Sequence, residues 1–325
     1  MKKISLALLA VIICFLFASV ALAATKIEQI SNIGDANDYV VGPGKEYLYL
    51  DPGQSVTREI HVTNRFHKDR SFHLDLQDFK GSNGANLIEF MGLLAGPYSL
   101  KDYLHPEVKD FQLKPGDRMT IPVTITIPKD AVPGGLYAAI MVTTEDNKQP
   151  GETPPNKIAG ALPLKSELAV LYFVRVNGPV KEDGNLKSFK SNKGIYWSEK
   201  DKIGFSYSFA NNGSVYLNPY GEVEIKNLYG SVVDRLKVDA SYVLPSSTRT
   251  NVINWDKGFS MGRYTAKLTL NRGYLGQKDI QDVKTVTFWV IPWIYIVIFL
   301  VCLFILIAII QGIRSWFRKN FQRRK

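Results

Sequence analysis

The four histidines of the chain, His61, His67, His73 and His105, are the first place to look for metal or acid–base chemistry. A structural zinc site needs about four nitrogen or sulfur ligands that converge. His61 and His73 fall on outward positions of the alternating segments SVTREIHVTN and SFHLDLQDF, His67 lies in the turn phrase RFHKDR, and His105 precedes Pro106. Clustering of His61, His67 and His73 on one hairpin is the geometric route to a metal, and solvated surface histidines are the competing reading. Asp75, Asp78 and Glu89 make no recognisable acid–base pair, and the Asp75–Asp78 stretch lacks the dense oxygen loop that calcium takes. No phosphate-binding G-x-x-x-x-G-K-[ST] loop occurs. The two cysteines, Cys14 and Cys302, lie in apolar terminal runs, which leaves no thiol between them. The expectation is a chain with no catalytic set, no cofactor and no metal.

Binding chemistry is better represented. Tyr98 and Tyr103 lie in a long excursion, 81–112, while Tyr216, Tyr220 and Tyr229 fall near turns or strand ends of the second half. Aromatic rings supply large, rigid contact area against proteins or sugar faces. The competing reading is that most of them pack as corner residues.

Whatever these side chains do, strands must position them. In RMTIPVTITIP, Met119, Ile121, Val123, Ile125 and Ile127 alternate with Thr120, Pro122, Thr124 and Thr126, which puts one face in and one out. Pro122 lacks a donor, so the spacing predicts an edge strand or an N–H direction away from the ladder. GLYAAIMVT, KIGFSYSFAN and GRYTAKLTL repeat the period of two, and ELAVLYFVRV is apolar on both faces, as a covered central strand would be. Pro52-Gly53 and Pro115-Gly116 fit type II turns, with proline presetting φ and glycine taking the positive φ. SLKDYL reads as a short helix, with Ser99 as N-cap and Asp102 in a capping-box-like place. The Pro-rich stretch 146–165 reads as a loop. The pattern is all-β: two tandem immunoglobulin-like antiparallel sandwiches, 24–178 and 179–287, without the Cys…Trp…Cys spacing of antibody domains.

The ends add topology. Lys2 and Lys3, an apolar run and Ala21-Leu22-Ala23 make residues 1–23 an expected signal peptide. From Phe288 to Ile310 there are 23 uncharged residues, enough for a helix of roughly 34 Å, and residues 288–311 read as a transmembrane helix. Trp289, Trp293, Tyr295 and Trp316 suit the membrane interface. The basic tail, 312–325, belongs in the cytoplasm by the positive-inside rule. The expected location is thus the plasma membrane, single-pass, with the N-terminal domains outside. The formal net charge is +10 overall but −3 over 24–178 and +5 over 179–287, so much of the excess sits at the ends and nucleic-acid binding is not expected.

LDPGQSVTREIHVTN, PYSLKDYLHPE, FQLKPGDRMTIPVTITIP and AVPGGLYAAIMV resemble the first domain of WxL-interacting cell-surface proteins. FANNGSVYLNPYGEVEIKNLYG, VLPSSTRTNVINW and GRYTAKLTL resemble their immunoglobulin-like second domain. The resemblance implies a first domain associated with peptidoglycan and a second with an exported protein ligand. Taken together, the expectation is a non-enzymatic, membrane-anchored surface scaffold that contacts cell-wall glycan or an exported surface protein. The alternative is an assembly or chaperone-like factor that uses an edge strand to hold exported subunits.

Overall fold

The computed structural model of the chain describes residues 24–31, 36–84, 88–146, 167–198, 201–256, 261–275 and 280–321. The expected signal peptide, nearly all of the 146–165 loop and the end of the basic tail lie outside these residues. The chain divides into two compact units, one of Met1–Asp78 with Met91–Asn177 and the other of Phe79–Phe90 with Gly178–Lys325.

The strands of the first part of the chain are β1 (Lys26–Gln29), β2 (Tyr39–Gly42), β3 (Lys45–Leu50), β4 (Ser55–Asn64), β5 (Arg70–Gly81), β6 (Ile88–Phe90), β7 (Leu104–Pro106), β8 (Asp110–Leu113), β9 (Asp117–Thr126), β10 (Gly134–Asp146) and β11 (Glu167–Val176). One sheet runs β1-β9-β4-β2, with β7 also on β9; the other runs β3-β11-β10-β5, with β8 on β5. Phe79–Gly81 of β5 pair with β6, and these residues belong to the second unit. The alternating apolar positions of both sheets meet in one core: Ile60, Val62, Ile121, Val123, Ile125, Ile140, Val142 and Val174 have no exposed surface. Gly53 and Gly116 take φ of 81° and 84°. They follow Pro52 and Pro115 in turns closed by Gln54 N–H to Asp51 O (3.0 Å) and Asp117 N–H to Lys114 O (3.1 Å), as a type II turn requires.

Four sequence expectations change. First, of the two readings of Pro122 the edge strand falls and the N–H directed away from the ladder holds, because β9 lies between β4 on one side and β1 and β7 on the other. Pro122 O accepts from Glu107 N–H at 2.9 Å on the β7 side. A strand residue's N and O point the same way, so the missing donor falls in the gap between β1 and β7 and the β4 ladder is untouched. Second, SLKDYL forms only a 3-10 turn over Lys101–Tyr103, with Leu100 at the cap and no side-chain cap bond. Its leading donors go to a distant acceptor: Asp78 Oδ1 takes the N–H groups of Leu100 and Lys101, both at 3.0 Å. Third, the 81–112 excursion contains β6, β7 and β8, which are too short for a period of two to be read. Fourth, β3–β11 pair in parallel, as does one pair in the second unit.

The second unit holds β12 (Gly184–Ser191), β13 (Ile195–Tyr196), β14 (Ile203–Asn211), β15 (Tyr220–Lys226), β16 (Val232–Val238), β17 (Ser247–Trp255), β18 (Gly262–Asn271), β19 (Gln281–Val290) and helix α1 (Trp293–Phe321). Its sheets run β12-β14-β17 and β13-β19-β18-β15-β16. Each unit is therefore an immunoglobulin-like sandwich. The Asn212-Gly213 turn is organised by its neighbour Asn211, which is fully buried. Asn211 Nδ2 donates to Val215 O and Val243 O, both at 2.8 Å, and its Oδ1 accepts from Gly213 N–H at 2.8 Å.

The core of this unit centres on Phe288. Its ring lies 5.6 Å from Tyr264, 5.7 Å from Tyr196 and 6.2 Å from Trp255. Phe288–Val290 are thus strand rather than the first turn of a membrane helix. The uncharged run is continuous across that point, but Phe288 and Val290 are inward strand positions and the indole of Trp289 faces out. Helix α1 starts at Trp293, and Trp293–Arg318 is long and apolar enough to cross a membrane.

Candidate functional site: an open sheet edge beside a cavity

In β17, Trp255 is fully buried while Val252 is 65% exposed, as alternation across a sheet dictates. One side of β17 carries β14 in unbroken register from Ile203↔Trp255 to Asn211↔Ser247. The other side is an edge. Its first part is taken by the β5–β6 hairpin: Gly84 N–H donates to Thr248 O at 3.0 Å, and Thr250 N–H donates to Gly84 O at 2.7 Å. Thr248 N–H also donates to Asn83 Oδ1 at 3.0 Å. A glycine at position 81 permits this approach, since a Cβ there would run into the Ser247 hydroxyl.

Thr248 and Thr250 therefore turn their main-chain groups outward, and Val252 and Asn254, at the same parity, do likewise. Among the described residues, no strand and no hydrogen bond meets those two. Beside them is a cavity of about 310 Å³ between the edge strands of the two sheets. β14 contributes Tyr207, β17 contributes Asn251, Val252 and Ile253, and the end of β16 with its following turn contributes Val238 and Ser241.

The cavity is polar at its floor and charged at its rim. Asn251 Nδ2 donates to Tyr207 OH at 3.1 Å and to Ser241 Oγ at 3.2 Å. Burial pushes the Tyr207 phenol above its ordinary pKa, against the opposing hydrogen bonds of Ser241 and Asn251, so it stays neutral. At the rim Lys237 Nζ pairs with Asp239 Oδ1 at 2.7 Å, and that hydrogen bond raises the lysine. Nothing in this arrangement supplies a nucleophile with a base. What it offers is a short row of main-chain donors and acceptors, and a hollow for the side chains that alternate inward from an added strand.

The five tyrosines do not form one platform. Tyr98 and Tyr103 are half-buried in the first unit; the Tyr98 ring sits 6.1 Å from Tyr137, edge-on, and Tyr103 packs on the core. In the second unit Tyr216 meets Tyr242 edge-on at 5.4 Å. Tyr220 and Tyr229 are 44% and 89% exposed, one at the start of β15 and the other in the β15–β16 turn, about 20 Å apart along an extended strand. His61 Nδ1 lies 2.9 Å from Thr120 Oγ1 and His73 Nδ1 lies 2.6 Å from Asp110 Oδ1, on different sheets. Among the described residues no group of three metal-ligating side chains comes together. Asp78 is fully buried, and both its oxygens are filled by main-chain donors, Gly96 N–H at 2.9 Å being the third. The sequence offered no sign of the open half of β17, because the order of strands in a sheet is not written in their periodicity.

No protein-family model matches the chain, and no curated protein matches it. Solved structures do. The class 5 fimbriae chaperone CfaA is 12% identical with a TM-score of 0.40, over 76% of this chain and 99% of that one. The Salmonella enterica SafB chaperone, solved with SafA pilin, is 11% identical with a TM-score of 0.35, over 78% and 99%. The PapD-like domain 7 of human CEP192 is 12% identical with a TM-score of 0.30, over 50% and 97%.

Proposed function

We propose that this chain is a non-enzymatic, membrane-anchored binding protein that takes an extended segment of an exported protein onto the open half of β17, in the manner of an assembly factor. The observation that carries this reading is the outward main-chain row at Val252 and Asn254 beside the cavity between the edges of the two sheets. An exposed edge is a template for pairing, and this one already accepts Gly84 from the chain itself. Helix α1 would tether the units to the plasma membrane, strands outside and basic tail inside. The resemblance to WxL-interacting proteins points the same way, since it too gives the second domain a protein ligand. Glycan binding has less support, because the tyrosines that would stack on sugar are scattered. The test is a photo-crosslinking residue placed in the full chain at Val252, with Lys267 on the interior strand β18 as control, in the native cells. An exported protein captured at 252 and not at 267, and lost as that protein matures, is the expected result. Equal capture at both sites, or none at 252, refutes the reading.

A further inference from the structure

The parallel pairing of β13 with β19 runs on past the last strand residue. Trp289 N–H donates to Gly194 O at 2.9 Å, Ile291 N–H to Tyr196 O at 2.8 Å and Trp293 N–H to Trp197 O at 2.9 Å. The last of these is the first residue of α1, whose leading N–H groups have no partner inside the helix. Only Ile291 and Pro292 separate β19 from α1. Pro292 is buried, and its ring fixes φ. The helix thus leaves the sheet without a flexible stalk.

The residues around that exit share a chemistry. Ile195, Trp289 and Arg263 stand in register across β13, β19 and β18, and residues in one such row share a face. The next row, Tyr196 and Val290, is fully buried, so the Ile195 row faces out. Ile195 is 40% exposed, Trp289 45%, Trp197 49% and Trp293 57%, and Arg263 is exposed as well. Two exposed indoles precede the helix, a third starts it, and a guanidinium stands beside them.

We propose that this row is a lipid-headgroup docking face, seating the base of the second unit in the interfacial layer of the bilayer that α1 enters. The inference rests on reading α1 as a membrane span. It adds Ile195, Trp197 and Arg263 to the helix end and makes the sheet itself a membrane contact. Indoles favour the headgroup level, with the ring in apolar surroundings and the N–H hydrated. Arg263 can donate to lipid phosphate. With the span and the row both engaged, the sheet stands at one height and one tilt, and the β17 edge opens in a fixed direction.

The test uses the full chain in nanodiscs of phosphatidylcholine with phosphatidylglycerol. The emission of the wild type minus that of Trp197→Phe is the emission of Trp197. Lipids brominated near the headgroup should quench that difference, and iodide in the water should not. Arg263→Glu, at an exposed position that leaves the core intact, should relieve the bromolipid quenching and shift the difference emission to the red. A difference emission open to iodide and indifferent to brominated lipid overturns the proposal, as does an Arg263→Glu chain that behaves as wild type. Flotation with liposomes after carbonate extraction separates the two levels. A chain that floats with a water-exposed Trp197 defeats the docking face alone, and a chain that does not float defeats the spanning reading and the proposal with it.

Discussion

Replacing Asp78 should loosen the 94–104 segment by an amount that the structure sets. Its Oδ2 accepts from Gly96 N–H at 2.9 Å, and its Oδ1 accepts from Leu100 and Lys101 N–H at 3.0 Å. A hydrogen bond to a charged acceptor contributes about 1.5–3 kcal/mol net, and a buried donor left alone costs about 1–3 kcal/mol. Leu100 is fully buried, whereas Gly96 and Lys101 are half-buried and can turn to water. Asp78→Ala should therefore lose roughly 3–5 kcal/mol locally. Asp78→Asn keeps one carbonyl for Leu100 and Lys101 but sets its amide nitrogen against Gly96 N–H, for a loss of roughly 1.5–3 kcal/mol. Tryptophan fluorescence is blind to this, since Trp197, Trp255, Trp289, Trp293 and Trp316 all belong to the second unit. Peptide-resolved hydrogen exchange on the full chain in detergent reads it directly. At about 1.4 kcal/mol per decade, exchange in the segment should accelerate roughly a hundredfold or more in Asp78→Ala and about tenfold or more in Asp78→Asn. An acceleration under about tenfold in the alanine variant, or equal effects of the two, would refute the reasoning.

Val252→Pro removes an outward N–H that β14 does not use, a place where proline is tolerated. Stability by denaturant titration should change by less than about 1 kcal/mol, while recovery of the captured partner drops about tenfold, the equivalent of one lost main-chain bond. Burial, aided by the charge of Glu46, pushes the Tyr172 phenol above its ordinary value of 10.0. A raised folded value means that the neutral phenol's stabilisation is whole below pH about 10 and is lost as pH climbs through the folded value. Among the described residues Tyr172 OH has no hydrogen-bond partner, so Tyr172→Phe should leave neutral-pH stability equal or up by about 1 kcal/mol and flatten its decline at alkaline pH, measured by exchange in β11. A Cβ at Gly221 would run into Thr269 O and lie 3.0 Å from Leu270 Cα, so Gly221→Ala should cost about 1–3 kcal/mol in thermal unfolding of the second unit.

What could be read from residues alone was what periodicity reports. The inward rows of β9, β14 and β18 are the alternating residues of RMTIPVTIT, KIGFSYSFAN and GRYTAKLTL, and the positive φ of Gly53 and Gly116 follows from their prolines. Periodicity says nothing about which strands lie side by side. Hence Pro122 left two readings open, an edge strand or an N–H directed away from the ladder, and only the strand order shows the second, with Pro122 in the gap between two short partners of an interior strand. It also says nothing of acceptors far along the chain: Asp78 reaches 18 to 23 residues forward to the donors it satisfies, and no spacing rule links a carboxylate to main-chain N–H groups. At Phe288 an apolar run hid a change of element, since hydropathy alone does not separate a strand with an outward indole from the first turn of a span.

The size of the β17 opening bears on what kind of binding it supports. Residues 251–255 extend about 17 Å, so they accept a segment of about five residues. Two outward residues offer at most four main-chain bonds, together worth about 2–6 kcal/mol net. One apolar side chain lodged in the cavity adds about 1.5–3 kcal/mol. A total of roughly 4–9 kcal/mol corresponds to dissociation constants from about 1 mM to about 0.3 μM, before the cost of ordering the segment. A free peptide would thus bind weakly and leave quickly, whereas a partner confined to the same membrane would meet the edge at a much higher effective concentration. That combination suits handing a segment on better than holding it, and it favours the assembly role over a permanent scaffold. Calorimetry with a five-residue extended peptide gives the check. Nanomolar binding would mean that the recognition surface extends well beyond β17 and that the edge is not what selects the partner.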